Sequence, residues 1–325
     1  MKNRIVWGAF LCFIAAASWG AMFPVANSAF HAIDPFYFTL IRYVSVTVLL
    51  VILLWWKEGK QAFRMEKRGL SLWFFGTMAF VVYNLFIFWG QDLMGEPGIM
   101  VASISEAMMP MISIVIVWVI SRHKPHGFTL ACVFTAFIGV MLVITKGDLR
   151  SFLTATDDIV PSLLIFLAVI GWVIYTMGGN HFSGWSALRY STLSCLLGTA
   201  TACVVVFFVT LTGYISIPTV AVLQTVTPHM LFMIIFPGII ALLGWNVGVR
   251  ILSPLNGLLF INFVPVTTLV ISFIQGYQLT MFDYIGTVFI IASLLGNNIF
   301  LRIQQKRKDE AKQYKNPSAQ PTATA

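Results

Sequence analysis

Long apolar stretches separated by short polar segments run along almost the whole chain. A helix needs about 20 mostly apolar residues to cross a lipid bilayer. The stretches that approach or exceed this length are 5–30, 36–56, 70–91, 97–121, 128–145, 161–181, 187–213, 229–251, 254–276 and 282–303. The pattern therefore predicts ten membrane-spanning helices. Only Ser253 and Pro254 separate the eighth stretch from the ninth, so nine spans is the alternative interpretation.

The composition agrees with a lipid environment. Of the 325 residues, 58% are hydrophobic and only 10% are charged, and the mean hydropathy is +0.87. Soluble domains carry about 25% charged residues. This composition excludes a soluble enzyme, a secreted disulfide scaffold and a nucleic-acid-binding protein. The four cysteines lie inside apolar stretches without metal-ligand spacing, so we interpret them as packing residues.

The positions of the basic residues predict how the spans are oriented. With ten spans and a cytoplasmic N-terminus, 17 of the 20 Lys and Arg residues fall on the cytoplasmic side. Short cytoplasmic segments of membrane proteins are enriched in Lys and Arg. Nine spans would place the basic C-terminal segment on the opposite side. The bias therefore favours ten spans in the cell (cytoplasmic or inner) membrane, with both termini in the cytoplasm.

The two halves of the chain share marks in the same order, which indicates an internal repeat. The marks are Trp19 with Trp172, Arg42-Tyr43 with Arg189-Tyr190, Pro110 with Pro265, and Gly139 with Gly296. Each unit holds five spans, an odd number, so the second unit must enter the membrane from the opposite side. Such inverted repeats are typical of secondary transporters, which bind substrate near the membrane midplane between the halves. A duplicated bundle that serves as an inert scaffold is the alternative.

These marks, together with further residues, resemble the pattern of a known family. They are Ser18-Trp19-Gly20, Pro35-Phe36 and Gly171-Trp172, and the similarity covers about residues 5–303. The chain resembles the drug/metabolite transporter superfamily, specifically its ten-helix EamA-domain exporters. The resemblance implies an all-α membrane protein with ten transmembrane helices in two inverted five-helix repeats. It also implies a central cavity lined mainly by helices 1, 3, 4, 6, 8 and 9, and export of amino acids, metabolites or drugs.

The predicted organisation has four parts. The first EamA repeat covers 1–147 with helices 1 to 5, a connecting loop covers 148–160, and the second repeat covers 161–303 with helices 6 to 10. The remaining segment, 304–325, is charged and then rich in Pro, Ser, Thr and Ala. We expect a disordered cytoplasmic tail there, because too few apolar residues remain to pack.

Glu106 is the main anomaly in the hydrophobic pattern, because it is an acid well inside the fourth span. Intramembrane acids are costly and usually face a cavity or a partner. We interpret Glu106 as a residue of the substrate path that exchanges a proton or pairs with an amine. A protonated carboxyl hydrogen-bonded between helices is the alternative, and the family resemblance does not supply the coupling role.

Pro110 and Pro265 mark places where two helices are expected to open. A proline removes the hydrogen bond to the carbonyl four residues earlier, here the carbonyls of Glu106 and Ile261. Opened helices at matching places in two repeats are a sequence signal of a transport site. Simple packing kinks are the alternative.

Other residues inside the spans are candidates for the cavity wall or for helix packing. Amides commonly join membrane helices, and pocket walls are mostly apolar with a few placed polar groups. The remaining candidates for substrate contact are Trp19, Tyr83, Asn84, Trp172, Tyr175, Asn246 and Asn262.

Two Arg-Tyr pairs are assigned a structural or gate-stabilising role. Arg42 is expected to snorkel to the outer interface, or to pair with Asp34 or with an acid on a neighbouring helix. Arg189 is expected to do the same on the inner side. Tyr43 and Tyr190 are assigned to the same role as their neighbours.

No nucleotide, metal or cofactor site is predicted. The chain lacks G-x-x-x-x-G-K-[ST] and H-E-x-x-H, and no two histidines have zinc-site spacing. Transport of a small molecule would therefore be driven by a substrate or proton gradient, or by a partner. We expect a secondary transporter and no enzyme. The alternatives are an intramembrane enzyme on a lipid-linked substrate, disfavoured because Glu106 has no second carboxylate at depth, and a non-transporting scaffold or sensor.

Overall fold

A computed structural model describes residues 2–122, 124, 126–145, 147, 156–276 and 278–315. These residues form helices joined by short turns, with no β-strand in the described part of the chain. Within them ten helical rods follow one another, and the fourth and ninth are each divided into two pieces. Their bounds are α1 Lys2–Phe30, α2 Pro35–Glu58, α3 Gly69–Met94, α4a Glu96–Glu106, α4b Met109–Ser121, α5 Gly127–Thr145, α6 Thr156–Gly178, α7 Ala187–Leu211, α8 Val220–Leu252, α9a Pro254–Leu258, α9b Phe263–Ile274 and α10 Met281–Lys315.

Most rods have the length and hydropathy of membrane spans. Seven described helices qualify singly, and α4a with α4b, bent by 48°, makes an eighth. Shorter apolar helices occur at Gly127–Val143 in α5 and at Met281–Asn297 in α10. The rods thus correspond one to one with the ten predicted stretches, and the chain is a multi-pass membrane protein. α8 and α9a are separate because the backbone turns at Ser253, whose φ is 80°.

The ends of the predicted parts differ from the structure in two places. α6 begins at Thr156, inside the predicted connecting loop, of which residues 148–155 lie outside the described residues. α10 continues into the predicted tail and ends at Lys315. Lys, Arg, Glu, Gln and Ala are good helix formers, which is compatible with a helix that extends past the span, and the disordered tail stays a prediction. Residues 316–325 lie outside the described residues.

The two halves pack through corresponding pairs of helices. α1 contacts α8, and α6, the counterpart of α1, contacts α3. α2 meets α7 where the hydroxyl oxygens of Thr47 and Thr199 are 3.1 Å apart. α5 meets α10 at Gly139, where an added Cβ would lie 2.7 Å from the carbonyl oxygen of Gly286. Gly296, the sequence mark paired with Gly139, is not in this contact. The contacts thus join helices of one repeat to helices of the other in corresponding pairs.

The two Arg-Tyr marks do not occupy equivalent places in the repeats. Asp34 caps α2 by accepting a hydrogen bond from the N–H of Tyr37, and Ser186 caps α7 by accepting one from the N–H of Arg189, both at 2.9 Å. Arg42 lies eight residues after its cap, whereas Arg189 lies three residues after its own. Arg42 is therefore more than a helical turn deeper in its helix than Arg189.

Candidate functional site

Two rods are broken at corresponding places in the repeats. α4 breaks after Glu106, and Pro110 lies in the first turn of the helix that follows. α9 passes through the 3-10 turn Leu259–Asn262, and Pro265 lies in the first turn of α9b. Because proline has no N–H to donate, each break leaves a backbone carbonyl without its usual helical donor.

A second pair of irregular segments, in α3 and α8, was not predicted from the sequence. Each is a π-helical turn, Met78–Tyr83 in α3 and Ile234–Ile240 in α8. The side-chain nitrogen of Asn84 donates to the carbonyl of Ala79, five residues earlier, at 2.7 Å, and Pro237 lies inside the second segment. Single π-helical turns occur frequently at functional sites. Pro237 was the available signal for the second segment.

Glu106 is fully buried at the end of α4a. The hydroxyl of Tyr83, the last residue of the π segment in α3, donates a hydrogen bond to its Oε1. Its Oε2 has no hydrogen-bond partner in the described part of the chain. Leaving a buried polar oxygen unpaired costs free energy, so Oε2 is suited to hold a proton or to accept a hydrogen bond from a cationic group.

Aromatic rings from both repeats surround the Tyr83–Glu106 pair. The Tyr83 ring lies 4.9 Å from that of Trp172, which meets Trp19 edge to face at 5.0 Å. Trp245, 5.1 Å from Trp19, completes a tryptophan cluster of Trp19, Trp172 and Trp245. The indole N–H of Trp19 donates to the carbonyl of Pro237 at 3.2 Å, whereas that of Trp172 has no partner within the described residues. Trp245 was not predicted from the sequence, because no motif singles it out.

A polar network in the second repeat lies beside the tryptophan cluster. The side-chain nitrogen of Asn246 donates to the hydroxyl oxygens of Tyr175, at 2.9 Å, and Ser191, at 2.8 Å. The indole N–H of Trp245 donates to the hydroxyl of Thr176 at 3.2 Å. Tyr175 and Asn246 are thus brought together. Their hydrogen bonds join α6, α7 and α8, as is common for polar residues between membrane helices.

The other two amides of the predicted set take part in local hydrogen bonds. Besides its bond to the π segment, Asn84 accepts a hydrogen bond from the hydroxyl of Tyr43 at 3.0 Å. Asn262 donates to the carbonyl of Leu259 at 2.8 Å across the break in α9, and its Oδ1 is buried without a partner in the part of the chain described. Both amides therefore stabilise irregular helix geometry.

Arg189 forms part of a polar clasp that joins the two repeats outside the spans. Its Nη2 lies 2.8 Å from Glu66 Oε1, and its guanidinium lies 4.0 Å from the ring centre of Trp185. The indole N–H of Trp185 donates to Glu66 Oε2 at 2.9 Å. These hydrogen bonds, from Trp185 and then Arg189, lower the pKa of the Glu66 carboxyl. Tyr190 lies deeper, and its hydroxyl donates to the carbonyl of Tyr175 at 2.9 Å.

Arg42 occupies neither of the places expected for it. Its side chain is fully buried and makes no ion pair with any described residue, so it neither snorkels nor pairs with Asp34. Asp34 caps α2 instead. The Arg42 guanidinium lies 4.7 Å from the ring centre of Tyr43 and 6.0 Å from that of Phe88. The expectation is wrong because Arg42 lies on the face of α2 that packs inside the bundle.

Two cavities lie at opposite ends of the bundle. The first vestibule, of about 680 Å³, is lined by residues at the end of α1 and the start of α4, including Pro24, Asn27, His31, Glu96 and Pro97. The second vestibule, of about 360 Å³, is lined by residues at the end of α6, the start of α7, the end of α8 and the start of α9, including Thr176, Asn180, Tyr190, Asn246 and Pro254. α1 ends after one crossing of the bundle and α6 after six, so the vestibules face opposite sides.

Proteins with similar sequences carry the name transporter. The family described as "EamA-like transporter family" matches residues 6–145 and 160–299. The uncharacterized transporter YrdR of Bacillus subtilis (strain 168) is 51% identical over 312 residues, which cover 96% of each chain. The uncharacterized transporter YyaM of the same organism is 25% identical over 292 residues, covering 90% of this chain and 93% of that one.

The fold is similar to that of a solved crystal structure. The TM-score is 0.64, and the match covers 91% of this chain and 98% of the other, at 15% sequence identity. At this identity the likeness concerns the fold alone. The family match is more direct, because it occurs once in each half of the chain and covers nearly all of the described helices. The chain therefore belongs to the EamA-like transporter family.

Proposed function

We propose that this transporter exports small amphipathic metabolites, such as amino acids, from the cytoplasm by alternating access. It lies in the cytoplasmic (inner) membrane with both termini inside, following the distribution of its basic residues. The observation that carries the proposal is the buried acid Glu106, with its free Oε2, on a broken helix next to the Trp19–Trp172 contact between the repeats.

The arrangement of the two repeats supports alternating access. Each repeat contributes one broken helix and one π segment, and the two vestibules lie at opposite ends of the bundle. Inverted repeats with discontinuous helices move around a site near the midplane. We infer that the tryptophan cluster separates the vestibules and that the broken helices bend as one vestibule opens and the other closes.

We infer that Glu106 couples this movement to the substrate or to a proton. A carboxyl group whose second oxygen is unpaired in a buried site can take up a proton, or it can accept a hydrogen bond from a substrate amine. Tyr83 holds the first oxygen and so positions the group. The sequence carries no P-loop motif, and a substrate or proton gradient is the proposed source of energy.

Counterflow in proteoliposomes loaded with a pooled panel of unlabelled amino acids, organic acids and toxic analogues tests the proposal. The wild type should exchange at least one member. Glu106→Gln should abolish that exchange or make it independent of pH between 5.5 and 8, because glutamine preserves shape but holds no exchangeable acid proton. The variant should remain inserted and folded.

Asp92→Asn is the matched control, because Asp92 is an acid at the exposed end of α3. It should exchange substrate at the wild-type rate. If Glu106→Gln also exchanges at the wild-type rate across that pH range, the coupling role is wrong. If the wild type exchanges nothing in the panel, the proposed substrate class is wrong.

A further inference from the structure

Arg42 carries an unpaired charge inside the protein. Its exposed fraction is 0%, and none of Nε, Nη1 and Nη2 has a hydrogen-bond partner in the described part of the chain. Loss of a proton cannot remove the free-energy cost of burying this charge, because a guanidinium group remains charged at any physiological pH. Buried charges in proteins are normally paired. A bound anion would supply the missing acceptors.

The face of α2 that carries Arg42 points into the bundle. Phe38, Arg42 and Val46 follow one another at helical spacing, and all three are fully buried. The Phe38 ring lies 5.7 Å from Phe88 of α3. Val46 packs against the π segment of α8, where a Cβ added to Gly238 would lie 2.6 Å from Val46 Cγ2. Arg42 therefore lies among α3 and α8 and away from the lipid.

Aromatic contacts connect Arg42 to the segment of α1 that lies between the tryptophan cluster and the first vestibule. Phe88, which contacts Arg42, lies 6.4 Å ring to ring from Phe23 of α1. Phe23 is one helical turn beyond Trp19 and is followed by Pro24, which lines the first vestibule. Arg42 is thus linked through Phe88 and Phe23 to the part of α1 that joins the tryptophan cluster to the first vestibule.

Arg42 and Arg189 differ in a way that points to a ligand. Arg189, in the clasp, has the carboxylate of Glu66 and the backbone carbonyl of Arg64 as acceptors. Arg42 has only the faces of aromatic rings among the described residues. Ring faces attract the cation, but none of the three nitrogens of Arg42 has a hydrogen-bond acceptor in the described part of the chain. The fold thus provides acceptors for Nη2 of Arg189 and, among the described residues, for none of the three nitrogens of Arg42.

We propose that Arg42 binds the carboxylate group of the transported molecule, which places the substrate in the class of carboxylates, amino acids included. The proposal rests on the transport function proposed above. A guanidinium matches a carboxylate with two parallel hydrogen bonds. Glu106 Oε2, which has no partner in the described part of the chain, would accept a hydrogen bond from an amine of the same substrate.

Thermal unfolding of the full-length protein in detergent, in the presence of carboxylates and their neutral amides, tests the assignment. The panel pairs each amino acid or organic acid with its amide, and counterflow is measured for the same compounds. At least one carboxylate should raise the midpoint temperature of the wild type and should be exchanged in counterflow. Its amide should bind at least tenfold more weakly. Arg42→Gln and Arg42→Met should lose this preference, and Arg42→Lys should retain part of it.

Arg189→Gln is the matched control, since it removes an arginine that is already paired, and it should keep the preference for carboxylates. Arg42→Met should fold at least as well as the wild type, because it removes an uncompensated buried charge. The assignment is overturned if no carboxylate stabilises the wild type, or if Arg42→Met retains the preference. If carboxylates stabilise only the proteins that retain Arg42, but no carboxylate is exchanged in counterflow, then the anion site at Arg42 is supported and the transport proposal is wrong.

Discussion

At the scale of residues, the structure separates polar side chains whose hydrogen bonds are satisfied from those whose bonds are not. Tyr175 and Asn246 bond to each other and to neighbouring helices. Glu106 and Arg42 keep buried atoms without partners in the described part of the chain. Satisfied groups stabilise helix packing, whereas unsatisfied groups are available to a ligand or a proton. This distinction directs the functional assignments to Glu106 and Arg42.

The sequence reveals only part of this distinction. Glu106 is visible because an acid interrupts an apolar stretch. The burial of Arg42 could not be predicted from the sequence. When both faces of a helix are apolar, the sequence does not indicate which face contacts lipid. The clasp partner Glu66 was also missed, since a loop acid gains meaning only when folding brings Trp185 and Arg189 to it.

The clasp predicts a pH-dependent contribution to stability. Trp185 and Arg189 stabilise the carboxylate of Glu66, so its pKa is lower in the folded than in the unfolded protein. The contribution is complete above the ordinary Glu value of about 4.3 and is lost as pH falls through the folded value. Glu66→Gln should therefore lower the thermal midpoint slightly at pH 7, and the difference from wild type should vanish in acid.

Glu96→Gln serves as the control for the clasp, since Glu96 is an exposed acid that lies in a vestibule and outside the clasp. Thermal scans of the three proteins from pH 7 to pH 3 give the comparison. A Glu66→Gln difference of equal size at every pH would show that the carboxylate charge is not the stabilising feature.

At the scale of elements, the repeats share a pattern of irregular geometry. The prolines predict the breaks in α4 and α9 from the sequence, because the loss of an N–H is a property of the residue itself. The π segments could not be predicted, since an extra residue in one turn leaves no clear change in an apolar run. The tenth apolar stretch ends at 303 whereas α10 ends at Lys315, because hydropathy marks the membrane span and does not mark the end of the helix.

The caps of α4a and α9a give a paired prediction of stability. Gly95 precedes α4a with φ of 63°, and Ser253 precedes α9a with φ of 80° and ψ of 154°. This backbone region is essentially restricted to glycine and costs other residues about 1–3 kcal/mol. Ser253→Gly should therefore stabilise the protein by about that amount, and Gly95→Ser should destabilise it similarly.

Thermal unfolding midpoints of the two cap variants, measured in one detergent, check this prediction. A Ser253→Gly variant that is no more stable than the wild type would mean that another interaction of the serine offsets the backbone strain.

At the scale of the whole molecule, two five-helix repeats meet at the tryptophan cluster, and a vestibule lies at each end of the bundle. The ten apolar stretches and the odd number of spans in each unit predicted this architecture. The pairing of helices was not predictable, because it depends on close contacts such as Gly139 with Gly286 that involve no distinctive motif. The central claim is that the vestibules lie on opposite sides of the membrane and open in turn.

Labelling of Asn27→Cys and Asn180→Cys, each in a background without the four native cysteines, tests this claim most directly. An impermeant maleimide is applied from either side of oriented membrane vesicles, with and without a carboxylate that the protein exchanges. The two positions should react from opposite sides, and the carboxylate should change their labelling rates in opposite directions. Labelling of both positions from the same side, or rates that rise and fall together, would contradict the account.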